Sequence, residues 1–114
     1  MSVKLTTRQV GDVSVIDATG KITLGEGSST FRDTLRELTA RGEKKVLLNL
    51  DGVTYIDSSG IGELVSGFTS VTNQGGQLKL LNLAKRVKDL LQITKLYTVF
   101  EVFEDEAAAV RSFS

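Results

Sequence analysis

Cysteine and histidine are both missing from these 114 residues. Without cysteine there is no disulfide and no thiol nucleophile. Without histidine no imidazole can act as a general base near neutral pH, and the usual zinc sites lose their ligands. Proline is absent too, so every break between elements rests on glycine and on capping residues. No charge of one sign dominates: 14 basic and 14 acidic side chains give a formal net charge of +0. No overall field therefore draws the chain to nucleic acid or to an anionic membrane. No apolar run is long enough to span a bilayer, and Met1-Ser2-Val3-Lys4 carries no apolar signal core. The expectation is a cytoplasmic, soluble protein with no cofactor, no metal and no direct contact with nucleic acid or membrane.

What is present fits one globular domain over residues 1–114, with 40% apolar and 25% charged residues. That length supports one core of two or three layers. Residues 5–9 and 13–18 read as two short strands joined at Val10-Gly11-Asp12, an antiparallel hairpin. Residues 20–29 are rich in glycine and serine and read as an exposed loop. Phe31, Leu35 and Leu38 then recur at helical spacing, with Ser29 or Thr30 as the cap and Gly42 as the stop.

Residues 45–50 form a compact apolar run that reads as an interior strand covered on both faces, which favours a partly parallel sheet. Leu50-Asp51-Gly52 reads as a turn. Ile61, Leu64, Val65, Phe68 and Val71 make one stripe of a longer helix ended by Gly75-Gly76. Residues 77–83 repeat the earlier strand pattern, and both runs end in Asn-Leu, at Asn49-Leu50 and Asn82-Leu83. Val87, Leu90 and Leu91 give a third helix, residues 96–102 a last strand, and residues 105–113 a terminal helix with acids at its favourable end. The predicted fold class is α/β: a small mixed sheet of four to five strands flanked by about four helices. Leu47, Leu50, Ile56, Ile61, Val65, Phe68, Leu78, Leu80, Leu90 and Leu91 are the expected core. Phe31, Tyr55, Phe68, Phe100 and Phe103 fall mostly at core spacing.

The segment from Tyr55 to Gly62 carries the functional signal. An apolar strand end runs into Asp57-Ser58-Ser59-Gly60, and helical periodicity follows at once. Asp and Ser are ordinary helix caps, which accounts for one side chain but not for Gly60 and Gly62 in the first turns of a helix. Those glycines suggest close approach of another surface to the backbone. With Asp57 as the cap, Ser58 is the first helical residue, with its hydroxyl free to face solvent. A phosphate there suits the exposed N–H groups and the helix dipole, against repulsion from Asp57. Such a modification adds about −1.5 to −2 charges to a docking surface without melting the helix.

Enzyme readings fare poorly. Gly-x-Ser-x-Gly is absent around Ser58, and no histidine can accept its proton. Lys44, Lys45 and Lys79 show no diagnostic spacing for a Ser–Lys pair. Gly20, Gly25, Gly27 and Ser28 lack the phosphate-loop spacing. Lys85, Arg86 and Lys88 read as a solvated basic face, or as the rim of a site for an acidic protein.

Taken together, Tyr55-Ile56-Asp57-Ser58-Ser59-Gly60-Ile61-Gly62 resembles the signature of the anti-sigma factor antagonists, the bacterial single-domain STAS proteins. The resemblance extends to the leading hairpin, Thr19-Gly20-Lys21-Ile22, residues 46–50, Gly75-Gly76, and Val87-Lys88-Asp89-Leu90-Leu91 followed by Leu96. It implies a non-enzymatic switch. The unphosphorylated protein docks on an anti-sigma factor that is also a serine kinase of the GHKL type. That kinase phosphorylates the residue matching Ser58, and a phosphatase of the PP2C type reverses the change. Asp57, Ser58, Ser59, Gly60, Ile61 and Gly62 are then the partner-binding residues, with Ile61 also fitting the core stripe. The family usually carries an acid where Thr23 stands here, and the following loop looks longer; Glu26 is a candidate for the same space. The alternative is the same module in a partner-switching or stressosome-like pathway without a sigma factor. Monomer and dimer are equally compatible with the sequence.

Overall fold

The computed structural model describes residues 3–113, apart from the side chains of Glu26 and Ser28. The chain runs β1 (Val3–Val10), β2 (Val13–Ile22), α1 (Glu26–Ala40), β3 (Lys45–Ile56), α2 (Ser58–Asn73), β4 (Gln77–Leu81), α3 (Lys85–Ile93), a 3-10 turn (Leu96–Thr98), β5 (Val102–Phe103) and α4 (Glu106–Arg111). The strands lie in one sheet in sequence order. β1 and β2 are antiparallel, with Val10 opposite Val13 across the two-residue turn, and every later pair is parallel. Parallel neighbours need a crossover, and α1, α2 and α3 supply the three.

Successive residues of a strand point to opposite faces, and here both faces are covered. Val46, Leu48 and Leu50 of β3 join Ile16, Leu78 and Leu80 in the larger core beneath α1, α2 and α3. Leu47 points the other way and joins Val13, Val15 and Leu81 under Ala109 and Phe113 at the chain's far end. The interior-strand reading of residues 45–50 therefore holds. Of the expected core, Val65, Phe68 and Leu90 are half-buried at its margin and the others are buried. Tyr55, placed at core spacing by sequence, is instead exposed.

α1 and α2 stop by the same device. Gly42 and Gly75 sit one residue past the helix cap with φ of 81° and 79°. Glu43 N–H donates to Leu38 O at 3.1 Å, and Gly76 N–H to Val71 O at 2.9 Å. These bonds satisfy carbonyls that the helix end leaves open, and only a left-handed residue lets the chain reach them, which glycine adopts without penalty.

Three sequence expectations are corrected. Residues 20–29 are not a loop: β2 continues to Ile22 and α1 begins at Glu26 behind Gly25, so neither Ser29 nor Thr30 caps it and the link is only residues 23–25. The apolar period begins only at Phe31 because the first turn of α1, Glu26-Gly27-Ser28-Ser29, carries no apolar side chain. Asp51-Gly52 is not a turn: β3 runs through it for 12 residues. Register against β2 slips between Asp17 and Thr19 and again between Gly20 and Lys21, so β3 carries two extra residues as bulges. Residues 96–102 are not a strand: a 3-10 turn takes Leu96–Thr98, and β5 is only Val102–Phe103. The β-branched and aromatic content that suggests a strand there serves packing instead: Phe100 is buried and meets Phe68 in a T-shaped contact, with ring centroids 5.3 Å apart.

The smaller core is clasped by charge. Arg8 on β1 binds Asp17 with Nε at 2.6 Å and also binds Glu106 at the start of α4. Asn49 adds a 2.9 Å bond to Asp17. Arg8 holds both carboxyls below their ordinary values. Beside this clasp, buried Lys79 donates to Ser112 O and Oγ at 3.0 and 2.9 Å and lies 4.7 Å from the Phe113 ring centroid. Depressed carboxylates stabilise the fold above their unfolded values of 3.8 and 4.5 and lose that contribution as pH falls through the folded values. Arg8→Met should therefore lower the melting temperature at pH 7, and the gap from the parent should begin to narrow below about pH 4 and close only beneath the folded values. Thermal unfolding followed across pH checks this; a gap that stays constant would show that the clasp is packing rather than charge.

Candidate functional site

The site forms where three chain segments converge at the carboxyl edge of the parallel strands: the exit of β2, the exit of β3 and the entry of α2. Asp57 caps α2 from an extended conformation, with φ −102° and ψ −174°. Its Oδ1 accepts from Gly60 N–H at 2.9 Å and its Oδ2 from Leu24 N–H at 3.0 Å. Its own N–H donates to Ile22 O at 3.3 Å, extending the β2–β3 ladder by one rung. One carboxylate thus ties the link after β2 to the start of α2. The Gly60 N–H, then the Leu24 N–H, hold that carboxyl below its usual range.

The residues named from sequence separate into two sets. Ser58 is the first residue of α2 and its side chain is exposed; Ser59 and Thr23 are half-buried, and Gly62 is exposed with nothing within 4 Å of a Cβ placed on it. Gly60 and Ile61 face inward. Ile61 is 8% exposed and belongs to the core. Gly60 is buried because a Cβ there would stand 2.3 Å from Ile22 O and 2.5 Å from Ile56 Cγ1. Its missing side chain serves the protein's own packing, so the two glycines have different causes. Glu26 opens α1, and its side chain lies outside the described residues.

Ser58 also borders a shallow groove of about 750 Å³ whose walls are Tyr55, Asp57, Lys85, Arg86, Leu90 and Ile93, among others. Sequence reasoning missed this wall. Ile93 is 78% exposed at the end of α3, and Leu24, whose N–H binds Asp57, is also 78% exposed. The Arg86 guanidinium lies 5.8 Å from the Tyr55 ring centroid. The β3 bulges break strict alternation, so Thr54 and Tyr55 both face out; without the register no sequence signal reveals that. Lys85 and Arg86, read from sequence as a basic face or the rim of a protein site, are the part of this wall that was legible.

The chemistry open to this arrangement is narrow. Of the lysines weighed as partners for Ser58, Lys45 binds Asp12 at 2.6 Å, while Lys79 is held by Ser112 on the other face of the sheet. Among the described residues no three metal-ligating side chains cluster. What remains is an exposed hydroxyl on a fixed helix start, flanked by apolar side chains and two cations.

Comparison with known proteins agrees with this geometry. The family model of the STAS domain matches residues 4–109. The chain is 30% identical over 102 residues to the anti-sigma-B factor antagonist of Bacillus subtilis (strain 168), covering 90% of this chain and 92% of that one. A crystal structure of an anti-sigma factor antagonist from Mycobacterium paratuberculosis superposes with a TM-score of 0.87 at 15% identity, over 98% of this chain and 94% of that one. The Bacillus cell fate determinant SpoIIAA in its phosphorylated form gives 0.76 at 18% identity, over 97% and 100%. At these two identities the likeness is one of fold.

The two glycines offer a direct check on the geometry. Gly60→Ala should destabilise the protein by roughly 1–3 kcal/mol, because the obstructing atom is a backbone oxygen that cannot swing away. Gly62→Ala should leave stability unchanged or raise it, alanine being the better helix former by roughly 1 kcal/mol. Urea denaturation of both variants reads the contrast, and equal losses would contradict the packing described.

Proposed function

This chain belongs to the STAS-domain family of anti-sigma factor antagonists, and from that premise we propose that it works as a phosphorylation-controlled antagonist with Ser58 as the acceptor. The family's role is regulatory partner switching without catalysis. In the proposed cycle the unmodified protein docks, through the surface around Ser58, on an anti-sigma factor that is itself a serine kinase of the GHKL type. Transfer of phosphate to Ser58 ends the complex, and a phosphatase of the PP2C type restores the hydroxyl. Among the described residues no helix is long and apolar enough to cross a membrane, and we place the cycle in the cytoplasm.

The observation that carries this reading is the display of Ser58. Its side chain is exposed at the first residue of a helix whose cap is already made by Asp57. Ser58 is therefore spare to the fold: it can gain charge without removing a cap bond. Ser59, Gly62 and Thr23 lie beside it as contact residues, while Gly60 and Ile61 support the surface from beneath. A neutral hydroxyl can be desolvated against a partner at modest cost, whereas a buried dianion without new cations costs several kcal/mol.

Thr23 stands where the family usually has an acid, and it favours a second reading in which the same module serves a switch without a sigma factor. We assign the acid's part to Glu26, which opens α1 after the three-residue link. Glu26→Gln should then slow phosphorylation of Ser58, and an unchanged rate in a timed kinase assay would remove Glu26 from the site.

The test of the main reading is incubation with a candidate anti-sigma kinase and ATP, mass spectrometry to locate the phosphate, and a binding titration of both forms. We expect phosphate on Ser58 and binding of Ser58→Asp weakened by roughly tenfold or more, equivalent to about 1.4 kcal/mol. Ser58→Ala should bind normally and resist release by ATP. Undiminished binding of Ser58→Asp would sink the reading. Capture of a partner unrelated to any sigma factor, lost in Ser58→Asp, would favour the second.

A further inference from the structure

A helix N-terminus ordinarily seats an anion on its free N–H groups, but at the start of α2 a carboxylate already stands there as the cap. Asp57 already holds Gly60 N–H with one oxygen and Leu24 N–H with the other. A phosphate on Ser58 would therefore meet a neighbouring carboxylate and must find its compensating charge elsewhere. The groove beside Ser58 supplies one answer. Lys85 and Arg86, in the first turn of α3, are exposed and line that groove together with Ser58. Among the described residues neither makes an ion pair, whereas Lys88, outside the groove, reaches Glu104 at 3.8 Å. Arg86 is also placed in advance, its guanidinium over the ring of Tyr55, the residue three positions before Ser58, at 5.8 Å from the ring centroid.

We propose that phosphoserine at position 58 is received across this groove by Arg86, with Lys85 beside it, so that the phosphate bridges the starts of α2 and α3. The proposal rests on Ser58 being the modified residue and goes beyond it by naming what the phosphate binds. A guanidinium fork matches phosphate oxygens in pairs, and stacking on an aromatic ring leaves its N–H groups free to do so. The other charged or titratable groups on the groove walls are Asp57, whose charge is committed to two backbone N–H groups, Asp89 of α3, and the Tyr55 phenol. The bridge also changes the surface. It lays a charged strut over the apolar wall of Tyr55, Leu90 and Ile93, so that modification withdraws more from a partner than one hydroxyl.

The test installs phosphoserine at position 58 during translation, with no kinase involved, and follows the phosphate by 31P NMR across pH. In the otherwise unaltered protein the second ionisation should fall below its ordinary value near 6. Arg86→Gln should move it upward by about half a unit, roughly a threefold change in proton affinity. Lys85→Gln should move it less, and Lys88→Gln not at all. All three side chains are exposed, so the variants are expected to fold. A phosphate that titrates at or above the ordinary value, or one that Arg86→Gln leaves unmoved, overturns the proposal. Failure of every kinase to modify Ser58 would instead count against the switch, and the two failures are read from separate experiments.

Discussion

The carboxylate of Asp57 is the constraint on which the rest of the site depends. Two backbone N–H groups from segments 33 and three residues away meet on its two oxygens. That single group fixes where β2 lets go of the sheet, where α2 begins and how the two are angled. Gly60 completes the fit from below, since the absence of a Cβ lets the first turn of α2 rest on Ile22 O. Rigidity here has a purpose beyond stability. A hydroxyl on a frayed helix end presents many surfaces, whereas one on a bolted end presents a single surface that a partner can read.

The two faces of the sheet divide the work. The larger core under α1, α2 and α3 sets the positions of every residue around Ser58. The smaller core under Ala109 and Phe113, with the Arg8 clasp and buried Lys79, closes the opposite face and takes no part in the site. The site itself lies at the carboxyl edge of the parallel strands. Open α/β sheets commonly place their binding surfaces there, because every βα link empties onto that edge.

Much of this was legible before any coordinates. Element order, the hairpin, the interior strand and the Asp57 cap follow from apolar period, glycine position and capping chemistry, because each is fixed by residues within a turn or two. What escaped was fixed across the sheet. The inward role of Gly60 depends on Ile22, 38 positions earlier in the chain, and the outward turn of Tyr55 depends on register against β2. The first turn of α1 escaped for a different reason: Gly27, Ser28 and Ser29 have weaker helical preference, and the packing of Phe31 overrides it. The groove beside Ser58 escaped because its walls come from β3 and α3, which are not neighbours in sequence.

The paired bulges of β3 let it carry two residues more than the stretch of β2 beside it without losing its facing. Each bulge sets two residues of β3 opposite one of β2, so the inward positions shift by one at each bulge while pairing with β2 stays in step. Leu48, Leu50, Val53 and Ile56 all reach the larger core, at spacings of two, three and three. Ile56 therefore still arrives opposite Ile22 and Asp57 within reach of Leu24, while Tyr55 is left outward as part of the groove wall. A surface feature thus arises from surplus chain length, with the core beneath it unaltered.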